Sequence, residues 1–185
     1  HPNHRLMDRV GPLAEGILGV WSGMERPTDL PPLICHGDLK VSNLRFQTDG
    51  DRALSLLDMD TMTVGTLDAE LGDAFRSWCN MAVEHAPEPR WDLDLFEQAW
   101  KGYAEMAGEG LSLQERQSIV PGTKRIILEL SARFAADALR ESYFGFDPQV
   151  ASTRGEHNLL RAQSQFALVQ IVEDNQAVME TLVLN

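Results

Sequence analysis

The stretch NLRFQTDGDRALSLLD (43–58) constrains the fold of this chain more than any other. Two short apolar runs flank the dipeptide Asp49-Gly50, and Asp-Gly between such runs is the strongest short-range signal for a β-hairpin. A hairpin joins the far ends of its strands. Those ends carry HGDLKVSN (36–43) on one side and LLDMD (56–60) on the other. With a four-residue loop from Asp49 to Arg52, Thr48 faces Ala53 and Asn43 faces Asp58. Directly opposed residues have Cβ atoms about 5 Å apart, so an amide oxygen and a carboxylate there can share one hard cation. Mg²⁺ is commonly held by one or two side-chain oxygens, with phosphate and water supplying the rest. Asp38 lies five residues before Asn43, on a turn entering the first strand, with Lys40 beside it. A base, a metal pair and a cation in one cleft suit phosphoryl transfer. Asp38 would accept the proton of an attacking hydroxyl, and Mg²⁺ would neutralise the β- and γ-phosphate oxygens.

The surrounding sequence predicts a helix-dominated α+β chain. Residues 5–24 have helical apolar spacing interrupted by Gly11-Pro12, which predicts one or two short helices. ERPTDLPP is a polar connector, and LPPLIC reads as a buried extended segment leading into His36. The acid-rich run 58–73, with two glycines, reads as a loop. DAFRSWCNMAVEHA predicts a helix ended by Pro87, and WDLDLFEQAWKGYAEMAGEG a second one closed by glycines. Ser112 with Glu115 forms a capping box. TKRIILELSARFAADALRESYFG is amphipathic through Ile127, Leu130, Phe134 and Ala138, and EHNLLRAQSQFALVQIVEDNQAVMETL predicts one long last helix.

Composition narrows the partners. The 185 residues suggest a single domain, and 43 % apolar content is enough for a core. A net charge of −12 repels phosphate backbones and anionic membranes, so neither nucleic acid nor a membrane is an expected partner. A nucleotide can still bind through a bridging metal ion. Cys35 and Cys79 form no metal motif and read as reduced and buried, as in a cytoplasmic protein. No apolar stretch approaches the ~20 residues of a membrane-spanning helix.

Asp-x-x-x-x-Asn followed by a strand-end Asp resembles the catalytic and metal-binding loops of the protein-kinase-like superfamily. HGDLKVSN with LLDMD is similar, more specifically, to the aminoglycoside phosphotransferase and choline kinase branch. There His-Gly-Asp replaces His-Arg-Asp, and the second motif is not Asp-Phe-Gly. LLDMDTM, ELGDAFR, ILELSARFAADAL and EHNLLRAQSQF together resemble the N-acetylhexosamine kinase group. The resemblance runs from about Leu30 to about Val172.

This resemblance implies a kinase-like C-terminal lobe with a small catalytic hairpin, a catalytic loop at 36–43, a metal loop at 58–73 and a helical acceptor-binding region at 73–185. It implies ATP as donor with Mg²⁺, and a sugar or amino-alcohol acceptor. Asp38 would be the catalytic base, and Asn43 and Asp58 the metal ligands. His36 would hold the catalytic loop, and Asp73 would brace it from the following helix. Lys40 and Asp60 would support the site, and Arg133 would lie near the sugar or its phosphate. The sequence departs from the family before His36, where it has no glycine-rich strand-turn-strand and no lysine. The chain therefore reads as the C-terminal lobe without its N-terminal partner, expected to bind ATP weakly and to catalyse poorly alone.

Plainer readings accompany these. Asp and Asn near turns often serve turn geometry alone. Arg133 can pair with Asp137 one helical turn on. Asp68 and Glu70 read as solvated loop acids, His85 as a surface residue, Met59 and Met62 as packing, and Trp78, Trp91 and Trp100 as core. Two other functions compete with the kinase. A metal-dependent phosphohydrolase would need several of the five histidines to converge, and a non-catalytic helical scaffold or binding module would need no site at all.

Overall fold

The computed structural model describes residues 3–25 and 27–185, and of Glu109 the backbone alone; Arg26, in the connector, lies outside the described residues. In chain order the elements are α1 (Met7–Gly23), β1 (Leu33–Cys35), β2 (Leu44–Phe46), β3 (Ala53–Leu56), β4 (Thr63–Gly65), α2 (Leu67–Trp78), α3 (Leu93–Ala107), α4 (Leu113–Arg140), α5 (Arg154–Asp174) and α6 (Gln176–Leu184). Single 3₁₀ turns cover Val41–Asn43, Met59–Thr61 and Gly108–Gly110. The class is α+β, mostly helical, with two small antiparallel sheets, β1 with β4 and β2 with β3.

The hairpin forms with a different register from the one expected. Phe46 faces Ala53 and Leu44 faces Leu56, with an irregularity between Arg45 and Phe46. Gln47 N donates to Arg52 O at 3.0 Å, so the loop is residues 48–51. Leu54 is the extra residue of a bulge, which slips the pairing by one. The far end is closed by Leu57 N donating to Asn43 O at 2.9 Å. Asn43 therefore pairs with Leu57, and Asp58 follows one residue beyond.

The run 58–73 is not a loop. Its residues 63–65 pair with β1, placing Ile34 opposite Val64 and Cys35 opposite Thr63, and α2 begins at Leu67. Asp68 and Glu70 occupy the first turn of that helix, where acids complement the positive end of the helix dipole. At its other end α2 stops at Trp78, well before Pro87. Segment 79–92 is irregular and cross-linked by Met81 N to Arg90 O and Asp92 N to Cys79 O, both 2.9 Å.

Two prolines lie inside helices, one of them in the Gly11-Pro12 pair expected to interrupt α1. Pro12 sits within a continuous α1 and Pro121 within the 28-residue α4. An interior proline forfeits one helical hydrogen bond and costs about 3 kcal/mol. Around Pro121 the flanking Ile119 and Val120 are buried, and that burial offsets the loss. The capping box at Ser112 forms as expected, with Glu115 Oε2 accepting from Ser112 N at 2.9 Å. The expected single last helix is two, α5 and α6, divided at Asn175.

The chain divides into two compact units. The first contains residues up to Glu25, Met81–Trp91 and Ile127–Asp174; the second contains residues 27–80, Asp92–Ile126 and Asn175–Asn185. In the first, Val10 and Ile17 of α1 are buried, as are Ile127, Leu128 and Phe134 of α4 and Leu159, Leu168 and Val172 of α5. Gly16 admits the Phe166 ring, whose nearest atom would lie 3.1 Å from an added Cβ. In the second, Leu71, Ala74 and Phe75 of α2 are buried, as are Phe96 and Trp100 of α3 and Met179 and Val183 of α6. Phe75 and Phe96 meet edge to face at 4.9 Å. Trp100 is core as expected and lies under the Arg116 guanidinium at 5.6 Å. Met59 and Met62 are 50 % and 45 % exposed, so the packing expected of them is absent. No helix among the described residues is long and apolar enough to cross a membrane.

Candidate active site

The loop 36–43 begins where β1 delivers His36. Gly37 adopts φ +79°, and a Cβ there would lie 2.9 Å from Thr61 O, so only glycine fits. Asp38 N donates to His36 Nδ1 at 3.2 Å, which assigns the ring proton to Nε2; that nitrogen donates to Leu57 O at 2.8 Å. Thr61 Oγ1 donates to His36 O at 2.7 Å and contacts Asp58 O at 3.0 Å. The two motifs are thus tied to each other by side chains as well as by the strands.

Within the loop, Lys40 Nζ lies 2.5 Å from Asp38 Oδ2. Asn43 Nδ2 donates to Asp38 O at 2.8 Å and to Asp38 Oδ2 at 3.0 Å. Lys40 Nζ and Asn43 Nδ2 thus converge on Oδ2. Asp38 Oδ1 accepts none among the described residues, and the side chain is 25 % exposed. One oxygen of this carboxylate is therefore oriented while the other is open to a hydroxyl donor.

Helix α2 supports the loop along one face. Glu70 Oε1 accepts from His36 N at 2.8 Å and Oε2 from Gly37 N at 3.1 Å. Ser77 Oγ accepts from Val41 N at 3.1 Å, and Trp78 Nε1 donates to Leu39 O at 2.7 Å. The brace expected of Asp73 is made by Glu70, one helical turn earlier. Asp73 holds Arg76 instead, through Oδ1 at 3.0 Å, and its Oδ2 is buried without a hydrogen-bond partner among the described residues. Asp68, read as a solvated acid, is buried and accepts from Thr66 Oγ1 and from Arg125 Nη2 at 2.7 Å. Reading Glu70, Ser77 and Trp78 as one face required knowing that α2 starts at Leu67.

Asp58 sits at the end of β3 in the left-handed conformation, φ +67°. Non-glycine residues in this region concentrate at functional sites. Its carboxylate makes no hydrogen bond among the described residues, and the residue is exposed, as is Asp60. Asn43 Oδ1 likewise accepts nothing there. For a hard divalent cation the chain thus offers an amide oxygen and a carboxylate at the closed end of one hairpin. Among the described residues no group of three His, Cys, Asp or Glu side chains converges as a metal site. A cation on Asn43 and Asp58 would complete its shell with phosphate and water oxygens, a pattern that suits Mg²⁺.

The thiols offer no competing nucleophile. Burial pushes Cys35 up, with Glu70 and Asp68 adding to it, and burial with Asp92 pushes Cys79 up to about 12. Both are free and buried, hence protonated at neutral pH.

Arg133 belongs to the first unit. Its guanidinium lies 5.7 Å from the centre of the Tyr143 ring and 5.5 Å from that of Phe144. It does not pair with Asp137, whose buried carboxylate accepts from Ser142 N, Tyr143 N, Phe144 N and Asn158 Nδ2 instead.

Asp38 thus has one open oxygen on a loop that hydrogen bonds tie to the Asp58 turn and that α2 braces. The model of the phosphotransferase enzyme family, APH, matches residues 8–108, more than half of the chain, and the chain belongs to that family. The matched span holds both HGDLKVSN and LLDMD.

Proposed function

We propose that this chain carries the catalytic machinery of an ATP-dependent small-molecule kinase whose acceptor is a sugar or amino-sugar hydroxyl, closest to the N-acetylhexosamine kinase group. The observation that carries the reading is the clasp between the two motifs. His36 to Leu57 O and Thr61 to His36 O hold the Asp38 loop against the Asp58 turn, and phosphoryl transfer asks of a protein chiefly such positioning.

In this reading Asp38 Oδ1 receives the acceptor hydroxyl and takes its proton as the oxygen attacks the γ-phosphorus. Lys40 and Asn43, both on Oδ2, keep the carboxylate turned toward the acceptor. Mg²⁺ held by Asn43 and Asp58 would neutralise charge on the phosphate oxygens as ADP leaves. His36 and Glu70 fix the loop, and Asp60 adds negative charge beside the cation. Arg133 is proposed, from resemblance, to contact the sugar or its phosphate. The chain is read as a kinase-like C-terminal lobe acting in the cytoplasm.

The phosphohydrolase alternative needs histidines free to bind metal. Both His36 ring nitrogens are engaged, and His85 and His157 bond to each other. The scaffold alternative leaves the open oxygen of Asp38 and the left-handed backbone of Asp58 without a reason.

The test is a coupled ADP-release assay over a panel of hexosamines, hexoses and amino alcohols with Mg·ATP, on the chain and on a version extended upstream, followed by Asp38→Asn. The expected result is turnover of an amino sugar that Asp38→Asn reduces at least about a thousandfold with nucleotide binding retained. Turnover surviving in Asp38→Asn, or phosphate released without any acceptor dependence, refutes the proposal.

A further inference from the structure

In the first unit, two irregular segments, 81–91 and 141–153, meet the first turns of α5 at a buried histidine. His157 is 2 % exposed. Its Nδ1 accepts from Asp147 N at 2.9 Å, so the ring proton lies on Nε2, which faces His85 Nδ1 at 3.3 Å. The two rings stand 5.0 Å apart at 75°. One turn along α5, Arg161 reaches the same two segments, with Nη1 on Gly145 O at 2.7 Å and Nε 3.4 Å from Glu84 Oε2. Two fasteners therefore stand side by side, one permanently charged and one titratable.

We propose that the His85–His157 pair is an acid-sensitive latch: neutral, it fastens 81–91 and 146–153 to α5, and protonated, it releases both. The tautomers leave no harmless place for another proton. On His157 it must go to Nδ1, against the Asp147 N–H. On His85 it must go to Nδ1, against the His157 Nε2–H. Either event replaces a hydrogen bond with two donors facing each other. The segment 142–144 is held independently by Asp137, so release begins after it.

The charges around the pair set the direction. Burial holds His157 below the ordinary histidine range; Arg161 and His85 act in the same sense, Asp147 opposes them, and Glu84 is engaged by Arg161. A group whose folded pKa is depressed binds its proton more readily when released. The latch thus contributes stability above the ordinary histidine value of about 6.5 and loses it as pH falls below.

The experiment is hydrogen–deuterium exchange of the whole chain from pH 7.5 to 5, corrected for intrinsic rates, on the natural sequence and on His157→Gln. The glutamine amide can accept from Asp147 N and donate to His85 without titrating. In the natural chain, protection of 81–91 and 146–153 should fall together, approaching tenfold per pH unit once the group titrates, while α1 stays protected. In His157→Gln that pH dependence should weaken, since only His85 of the pair is left to take a proton. An identical pH profile in the variant, or none in the natural chain, overturns the proposal. Should the variant fail to fold, NMR titration of the His157 ring in the natural chain decides: a midpoint at or above about 6.5 overturns it.

Discussion

The imidazole of His36 spans the two motifs of the site, donating from Nε2 to Leu57 O at 2.8 Å while Nδ1 accepts from Asp38 N. One ring thus sets the residue before Asp58 and the backbone of Asp38 at once. Gly37, next to it, makes the close approach to Thr61 O possible. Gly37→Ala introduces a Cβ 2.9 Å from that oxygen at a positive φ, which costs about 1–3 kcal/mol. Urea denaturation should show this loss, and the proposed turnover should fall with it.

Glu70 gives one carboxylate oxygen to each of two successive loop amides. Glu70→Gln retains one acceptor and sets an NH₂ against the other amide. Hydrogen bonds to a charged group contribute about 1.5–3 kcal/mol, and the exchange forfeits much of that. The expected kinetic signature is a reduced kcat at near-constant KM, because the loop moves while the acceptor contacts remain. A variant with unchanged kcat removes Glu70 from the positioning role.

Asp58 separates stability from activity. Its side chain makes no protein hydrogen bond among the described residues, and its φ is +67°, a conformation glycine adopts without strain. Asp58→Gly should therefore raise or hold the thermal midpoint while abolishing the proposed Mg²⁺-dependent turnover. A marked fall in the midpoint would mean that the carboxylate serves the fold.

Gln165 is fully buried on α5, and among the described residues neither its Oε1 nor its Nε2 has a hydrogen-bond partner. Such a group carries a desolvation penalty of about 1–3 kcal/mol. Gln165→Met keeps the volume and removes the polar atoms, so it should increase unfolding free energy by a similar amount. A destabilised variant would indicate a bound water that the amide needs.

Asp137 sets an acid limit on the first unit. Burial alone raises a carboxyl pKa, but the backbone amides of Phe144, Tyr143 and Ser142, with Arg154 nearby, outweigh it and hold Asp137 below its usual value. Its contribution is complete above the unfolded value of about 3.9 and is lost as pH falls through the lower folded value. Asp137→Asn should flatten the stability profile below about pH 4. It should also lower stability at pH 7, since an amide supplies one acceptor oxygen where the carboxylate used two.

How much of the site could be read in advance divides by distance along the chain. The pairing of HGDLKVSN with LLDMD was legible because Asp49-Gly50 is a local turn signal, and a hairpin joins its ends whatever its exact register. Asp38, Lys40 and Asn43 were legible as neighbours for the same reason, since five residues of loop cannot separate them far. The register was not, because neither the shift of the loop to 48–51 nor the bulge at Leu54 has a local mark.

By itself the sequence determined the helix-rich class, the hairpin, the capping box at Ser112 and the identity of the oxygen donors, all set by short-range geometry and patterning. Only the tertiary structure decided that 63–65 pairs with β1, that α2 starts at Leu67, that Pro12 and Pro121 stay inside helices, and that Glu70 rather than Asp73 holds the loop. Each depends on packing between segments distant in sequence. Burial there outweighs a lost helical bond or a weak strand propensity, and no local pattern records which partner supplies it.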